Sequence, residues 1–456
     1  MRIFLAGGGQ TAEFTAKRLI REGNEVVIVE QDVARCQHLE AHLDARIVQA
    51  DAKSVAAWRR AGIAKADMFI AVTDSDAVNI LTSLIASAEA PEAVTAIQLR
   101  TWEYKSWEEL LTARGVRIDR VIHPETDIVA RILRVLSVPG VSDIRDFAGG
   151  NVKAFGMNVE PSSWLAGKSL MDLASAGPPG NSMVAMLFTV TEVVIPHGEE
   201  VLRPGDHIYV VTTKDELDAT MRFMGIEKQE SIHRVFIVGG GELGLGVAKV
   251  LEEQRVSVKV FEQDAAQSEY IAGILQKSVV IHGDGTDQET LLQENIEGVD
   301  AFLALTKDDD SNLIASLLAR RLGAKKLVAL VNRIHNLALA QRLGINTTVS
   351  SRVKTVDAIL EFVRRGGVAS VRTFRGEEAE AIELVAPETS KYLGRPLQEI
   401  PFPRGVVVAA IARPSGEVLV PRGDAVIEAG DRVVFFALEG CVPELESDFL
   451  AVADKS

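Results

Sequence analysis

Two stretches of this sequence carry residue types that could hold a phosphate. Residues 235–241, VFIVGGG, run from an apolar segment into three consecutive glycines, and Glu242, Leu243 and Gly244 follow. The apolar run reads as a buried parallel strand. Gly239 permits a tight turn, Gly241 lets backbone N–H groups approach a pyrophosphate, and Gly244 lets the next helix lie close to the strand. Phosphates would then meet the positive end of that helix, whose inner face carries Leu243, Val247, Val250 and Leu251. A second apolar strand over 258–261 ends at Glu262, and 262 − 241 = 21 residues suits a carboxylate that accepts ribose hydroxyls. A glutamate there also disfavours a 2′-phosphate, and hence NADP.

The chain says this twice. Gly7, Gly8 and Gly9 form the first turn, Gln10 and Thr11 open the helix, Ala12 stands where Gly244 stands, and Glu30 where Glu262 stands. The offset 241 − 9 = 232 equals 262 − 30 = 232. Further on, Asp51 pairs with Asp284, Thr73 with Thr306, Asn79 with Asn312 and Arg100 with Arg333, all at an offset of 233. One residue of slippage over such a distance marks a duplication.

Each pair has a chemical reading. Asp51 and Asp284 follow the third strand of their halves, where an acceptor would suit an adenine amino group. Thr73 and Thr306 follow the fourth, where they could touch ribose or phosphate or simply cap a helix. Arg100 and Arg333 close the fifth, and a guanidinium fork suits phosphate. The acidic run Asp308, Asp309, Asp310 reads as a helix cap with a dipole contribution rather than a metal site. His38 and His42, spaced i,i+4, lack a third ligand, and no Ser, His and acid arrangement stands at a nucleophile elbow, so neither a metal nor a catalytic set is expected.

These residues must be positioned by an alternation of strands and helices. Strands are expected at 3–6, 26–29, 46–48, 68–72, 94–98 and 120–122, with helical stretches between. The pattern recurs at 235–238, 258–261, 279–281, 301–305, 327–331 and 347–349. In such sheets ligands sit beyond the carboxyl ends of the strands, where every candidate residue falls. After each large unit the composition shifts to short strands and turns. In the first, strands are expected at 153–159, 184–188, 192–195 and 207–212, with a brief helix at 170–173. The expected fold is α/β: two doubly wound parallel-sheet Rossmann domains at 1–140 and 232–368, each followed by a small α+β domain with a mostly antiparallel sheet, at 141–226 and 369–456. Gly205-Asp206 and Gly430-Asp431 precede matching strands in the small domains. Pro139-Gly140 ends a helix, residues 225–231 form a linker, and the helices at 125–136 and 354–365 are candidates to transmit motion between large and small units.

Composition narrows the function. A net charge of −15 and 5% aromatic residues argue against nucleic acid and against anionic lipid surfaces, so any membrane link must run through a protein. Cys36 and Cys441, far apart, give no disulfide framework and fit a reducing cytoplasm. No run of about 18 apolar residues offers a membrane span.

The pieces AGGGQTAEFTAKRLI with VVIVEQD, ADMFIAVTDSDAVNI, VFIVGGGELGLGVAKVLEE with HGDGTD, and DAFLALTKDDDSNLIASLLARRLGAKK carry a resemblance. Together they are similar to the bacterial Trk-system potassium uptake regulators of the TrkA family, built from tandem potassium-conductance-regulating modules. The resemblance covers essentially the whole chain. It implies a cytoplasmic subunit, peripheral on the inner face of the membrane, that assembles as a homo-oligomer, expected to be a tetramer, under an integral-membrane potassium transporter of the TrkH/TrkG type. It also implies that bound NAD(H) or ATP/ADP sets the transporter's activity, with no catalysis. Ala12, and the lack in ADAK of the glycine that flanks Asp284, suggest that the first site differs from the second in nucleotide preference or affinity. The alternatives are a soluble NAD-dependent oxidoreductase with a duplicated cofactor domain, or a nucleotide-sensing scaffold for another ion transporter.

Overall fold

A computed structural model describes residues 1–101, 118–138, 140–189, 191–226, 232–345, 347–363, 368–374 and 378–450. Four sequence expectations touch residues outside these: the helical stretch between the fifth and sixth strands, Pro139 of the helix stop, most of the 225–231 linker, and the end of the 354–365 helix. The chain divides into two compact units, Met1–Ile128 with Ser350–Val363, and Val129–Val349 with Arg364–Ser456.

The first unit holds six parallel strands: β1 (Arg2–Ala6), β2 (Glu25–Glu30), β3 (Arg46–Gln49), β4 (Met68–Ala71), β5 (Val94–Gln98) and β6 (Arg120–Ile122). Their order, β3-β2-β1-β4-β5-β6, is that of a doubly wound dinucleotide fold, which reverses between β1 and β4. β1, β2 and β4 are almost wholly apolar because helices cover both faces of the sheet. Trp58, Phe4 and Phe69 are fully buried there. Helix α1 (Gln10–Arg21) follows β1, α2 (Val33–His42) follows β2, α3 (Asp76–Glu89) follows β4, and α4 (Pro124–Ser137) follows β6. The division between units falls within α4.

The second unit repeats the sheet with β12 (Arg234–Val238), β13 (Ser257–Glu262), β14 (Val279–His282), β15 (Ala301–Ala304), β16 (Lys326–Leu330) and β17 (Thr347–Val349), in the order β14-β13-β12-β15-β16-β17. Its helices include α5 (Glu242–Glu253), α6 (Ala265–Ile274) and α7 (Asp309–Arg321). The next helix, α8 (Ser351–Val363), leaves β17 but belongs to the first unit, where it packs on α1 and β6. It buries Val356, Ile359, Leu360 and Val363, and Lys354 pairs with Asp127 at 3.1 Å.

Two five-stranded sheets complete the second unit. β7 (Asp143–Phe147), β8 (Val152–Asn158), β9 (Ser182–Phe188), β10 (Val193–Val194) and β11 (His207–Thr213) lie in the order β10-β9-β11-β8-β7. β18 (Val368–Phe374), β19 (Ala379–Val385), β20 (Val406–Ala412), β21 (Val418–Leu419) and β22 (Arg432–Leu438) lie in the order β18-β19-β22-β20-β21. All pairings are antiparallel. β7 lies where the sequence offered no strand. The two sheets share a core in which Phe147, Phe188 and Tyr209 meet Phe374, Ala409 and Phe436. Alternate residues of β22 therefore serve two cores, Val434 and Phe436 in the shared one, Val433 and Phe435 in the module's own. The echoed pairs are one turn used twice. Gly205 and Gly430 adopt φ of +93° and +85°, while Asp206 and Asp431 each accept a backbone amide three residues back at 2.8 Å.

Candidate functional site

Each glycine loop lies where the strand order reverses. Gly7 turns at φ +91° and Gly239 at +105°, a region that favours glycine. A Cβ on Gly7 would come within 2.8 Å of the Thr73 methyl group, and one on Gly239 within 2.9 Å of the Leu305 carbonyl, so each loop lies against the residues that follow the fourth strand. Gly9 and Gly241 sit at the N-caps of α1 and α5, with no side-chain cap. A Cβ on either would meet nothing within 4 Å. Glycine N-caps put no side chain over the first turns, and the open space beyond Gly9 and Gly241 fits a pyrophosphate at the helix N-terminus. Thr11, Ala12 and Leu243 are buried, so their backbones alone are available to a ligand. Gln10 and Glu242 are both exposed.

Glu30 and Glu262 brace the loops. Glu30 accepts the Gly8 amide at 2.5 Å and the Asp32 amide at 2.8 Å. Glu262 accepts Gly240 at 2.7 Å and Asp264 at 2.9 Å. Two carboxylate oxygens offer about four lone-pair sites, so these bonds leave acceptor capacity for ribose hydroxyls. The loop-bracing bonds went unseen in the sequence, although the spacing of glycine and glutamate located both partners.

Asp51 and Asp284 form short turns. Asp51 accepts the Lys53 amide at 2.9 Å and pairs with its ammonium at 3.3 Å, and the amide bond leads in holding the carboxyl below its usual range. At Asp284 burial pushes the carboxyl up, but the Thr286 amide and hydroxyl, both at 2.7 Å, outweigh it. Thr73 and Thr306 each donate their hydroxyl at 2.7 Å to a fully buried asparagine, Asn79 or Asn312. The same amide groups donate at 2.9 Å to Gln98 O and Leu330 O, tying the fourth strand's end to the fifth's.

The arginines are not a structural pair. Asp76 accepts the amides of Arg100 and Thr101, whereas Asp309 accepts those of Asn332 and Arg333. The strand registers agree, with Ala71 beside Ile97 and Ala304 beside Ala329. The repeat returns to an offset of 232 at the fifth strand, so Arg100 corresponds to Asn332. The expected 233-residue match of Arg100 to Arg333 is a coincidence of type. Arg100 pairs with Asp74 at 2.8 Å and Arg333 with Asp310 at 3.2 Å. In the acidic run, Asp308 caps α7 through the Ser311 amide at 2.8 Å. His38 and His42 stack 4.2 Å apart, and His38 lies 3.3 Å from Glu13. Among the described residues no group of three or more His, Cys, Asp or Glu could hold a metal ion.

Of the two sequence departures, the one beside Asp284 is a packing exchange. A Cβ on Gly285 would lie 2.5 Å from Val238, while the first half places Ala52 there and Ala6 in place of Val238. A Cβ on Gly244 would strike Gly239 O at 1.9 Å, yet Ala12 sits fully buried at the matching place in α1.

Fold and site define a tandem dinucleotide-fold protein with two small antiparallel modules. The TrkA-N domain family matches residues 3–124 and 235–351, and the TrkA-C domain family residues 155–225 and 381–449. The chain belongs to the TrkA family. It is 34% identical to the Trk system potassium uptake protein TrkA of Azorhizobium caulinodans and 33% to that of Haemophilus influenzae, covering 98% of this chain and 98% of each relative. Among solved structures it is similar to the GsuK channel bound to NAD, with a TM-score of 0.60 and 19% identity over 99% of this chain and 79% of that one. It is also similar to GsuK bound to ADP, with a TM-score of 0.52 and 15% identity over 80% of this chain and 69% of that one.

Proposed function

We propose that this chain is the nucleotide-sensing regulatory subunit of a potassium uptake system. It works in the cytoplasm, peripheral to the membrane, as a homotetramer held against an integral-membrane potassium transporter of the TrkH/TrkG type. NAD(H) or ATP/ADP binds and leaves unchanged, so the protein is not an enzyme. The observation that carries the reading is the doubled loop, each copy braced by its own glutamate and open beyond Gly9 or Gly241. The relatives named for Trk potassium uptake, and neighbours that hold NAD and ADP, support it.

In this reading Gly7, Gly9, Gln10, Thr11 and Ala12 hold phosphates in the first site, Glu30 holds ribose, Asp51 adenine, and Thr73 and Arg100 ribose or phosphate. Gly239, Gly241, Glu242, Leu243, Glu262, Asp284, Thr306 and Arg333 do the same in the second. The modules follow the segments 1–140, 141–226, 232–368 and 369–456. Exposed Leu81 on α3 and Ile314 on α7 occupy equivalent places in the repeat and offer apolar contacts for assembly. With a net charge of −15 the chain is repelled by anionic lipid and reaches the membrane through protein.

The mechanism is linkage. A nucleotide shifts the assembly only by its difference in affinity between two arrangements, and coupling of about 1–3 kcal/mol per site is typical. Potassium flux into vesicles holding the transporter and this protein tests it. The expected result is flux that changes with added nucleotide and stops changing when Glu30 and Glu262 are both alanine. Flux indifferent to every nucleotide would overturn the reading.

A further inference from the structure

The two glycine loops match in backbone but not in charge. In the first unit, Arg352, the second residue of α8, donates through Nη1 to Oε1 of Gln10, the first residue of α1. This places a guanidinium at the mouth of the first loop, beside the open space over Gly9. A second one, Arg35 on α2, donates through Nε to Gly8 O at 2.5 Å. The offset of 232 puts Glu242 opposite Gln10 and Gln267 opposite Arg35. Gln267 makes the same bond, to Gly240 O at 2.7 Å, without the charge. Arg35 is also paired with Glu13 in the first turn of α1, so the difference that remains at the first helix position is a carboxylate in the second loop against a neutral amide engaged by Arg352 in the first.

Resting on the nucleotide-binding reading above, we propose that Arg352 is a phosphate contact of the first site. α8 delivers it, and it makes that site prefer a nucleoside triphosphate over a pyridine dinucleotide. Phosphates bound at the N-terminus of α1 lie beside Gln10. A phosphate oxygen is a stronger acceptor for a guanidinium than a neutral amide oxygen such as that of Gln10, because hydrogen bonds between charged partners are about twice as strong. A triphosphate carries more charge than the pyrophosphate of a dinucleotide and gains more from this contact. Occupancy of the first site then also acts on α8, which buries Val356, Ile359 and Leu360 in the same unit.

The test is calorimetry of the full chain with ATP and with NADH, in a Glu262→Ala background so that the first site is read. Arg352→Ala is expected to weaken ATP about tenfold while leaving NADH within about twofold, and to lessen the loss of ATP affinity with salt. Arg352→Gln, which keeps size and polarity, is expected to do the same, and it serves if the alanine variant does not fold. ATP affinity unchanged in the variant that folds, or an equal loss for both nucleotides, would overturn the proposal. If the parent chain takes up no nucleotide at all, the nucleotide reading itself falls, and this inference with it.

Discussion

The carboxylate of Glu262 accepts the amide of Gly240 at 2.7 Å, across the 22 residues that separate them. The side chain that would hold a ribose thus also fixes the loop that would hold the phosphates. Replacing it has two consequences that can be separated. Glu262→Ala is expected to abolish nucleotide binding at the second site, whereas Glu262→Gln keeps one acceptor oxygen and should retain weakened binding. Adenosine, which has no phosphates, should lose about as much as ADP in the glutamine variant if ribose is the partner, and titration of both ligands checks this.

The buried asparagines set the distance between strand ends. Asn79→Ala would leave the carbonyls of Thr73 and Gln98 without their amide donor in a dry environment. The cost should be about 1–3 kcal/mol, and Asn312→Ala should cost a similar amount. Denaturant unfolding of each single variant measures it, and a loss below about 0.5 kcal/mol would show that the clamp is dispensable.

Asp143 gives the fold an acid limit. Burial pushes its carboxyl up, but Arg131 at 3.0 Å, Arg145 at 2.7 Å and the Tyr209 hydroxyl at 2.8 Å outweigh burial and hold it well below the usual aspartate range. A depressed folded-state value contributes stability that is complete above an unfolded aspartate's pKa of about 3.9 and is lost as pH falls below it. Asp206 and Asp431, which burial raises, act in the opposite sense. Asp143→Asn should therefore flatten the fall in melting temperature between neutral and acid pH. Asp143→Ala, which removes the buried carboxylate shared by Arg131, Arg145 and the Tyr209 hydroxyl, should cost about 3–5 kcal/mol at neutral pH.

Lys326 ties the end of α4 to β16. Its ammonium group donates to Val138 O at 2.9 Å and to Val135 O, a favourable place for a cation at a helix C-terminus. Burial pushes this lysine down to about 8. Between that value and an unfolded lysine's of about 10.4 the unfolded chain binds more protons, so stability should rise with pH across that window. Lys326→Met should remove this slope, as read from unfolding midpoints at about pH 7 and above about pH 10.

Much of this architecture was legible because its signals are local. Apolar runs ending in glycine triplets announced β1 and β12, and the repeat doubled every inference drawn from one copy. Gly205 and Gly430, each before an aspartate and a strand, marked the same turn twice. What stayed hidden depends on which surface covers which. Nothing in the pattern of residues 351–363 says that this helix joins the first unit, because periodicity identifies an apolar face and not its partner. β22 reads as one continuous apolar run, and only the shared core explains why both of its faces are buried. Arg100 and Arg333 were matched by type, and strand register was needed to see that Asn332 is the true counterpart. Asn79 and Asn312 stood out as a pair, but their role requires strand ends that the sequence does not place side by side.

Assembly is testable at the surface. Leu81 and Ile314 are 40% and 59% exposed at matching places on α3 and α7. Leu81→Asp together with Ile314→Asp should shift sedimentation from the tetramer to smaller species while leaving the melting temperature nearly unchanged, since exposed substitutions usually cost under about 0.5 kcal/mol. A tetramer that survives both changes would place the contacts elsewhere.

The most direct test of two matched nucleotide pockets is titration calorimetry of the full chain with NADH and with ATP, repeated for Glu30→Ala and for Glu262→Ala. Two classes of binding are predicted for the unsubstituted chain, with one class lost in each variant. A chain that takes up neither pyridine dinucleotides nor adenylates, or variants that bind as tightly as the parent, would contradict the account.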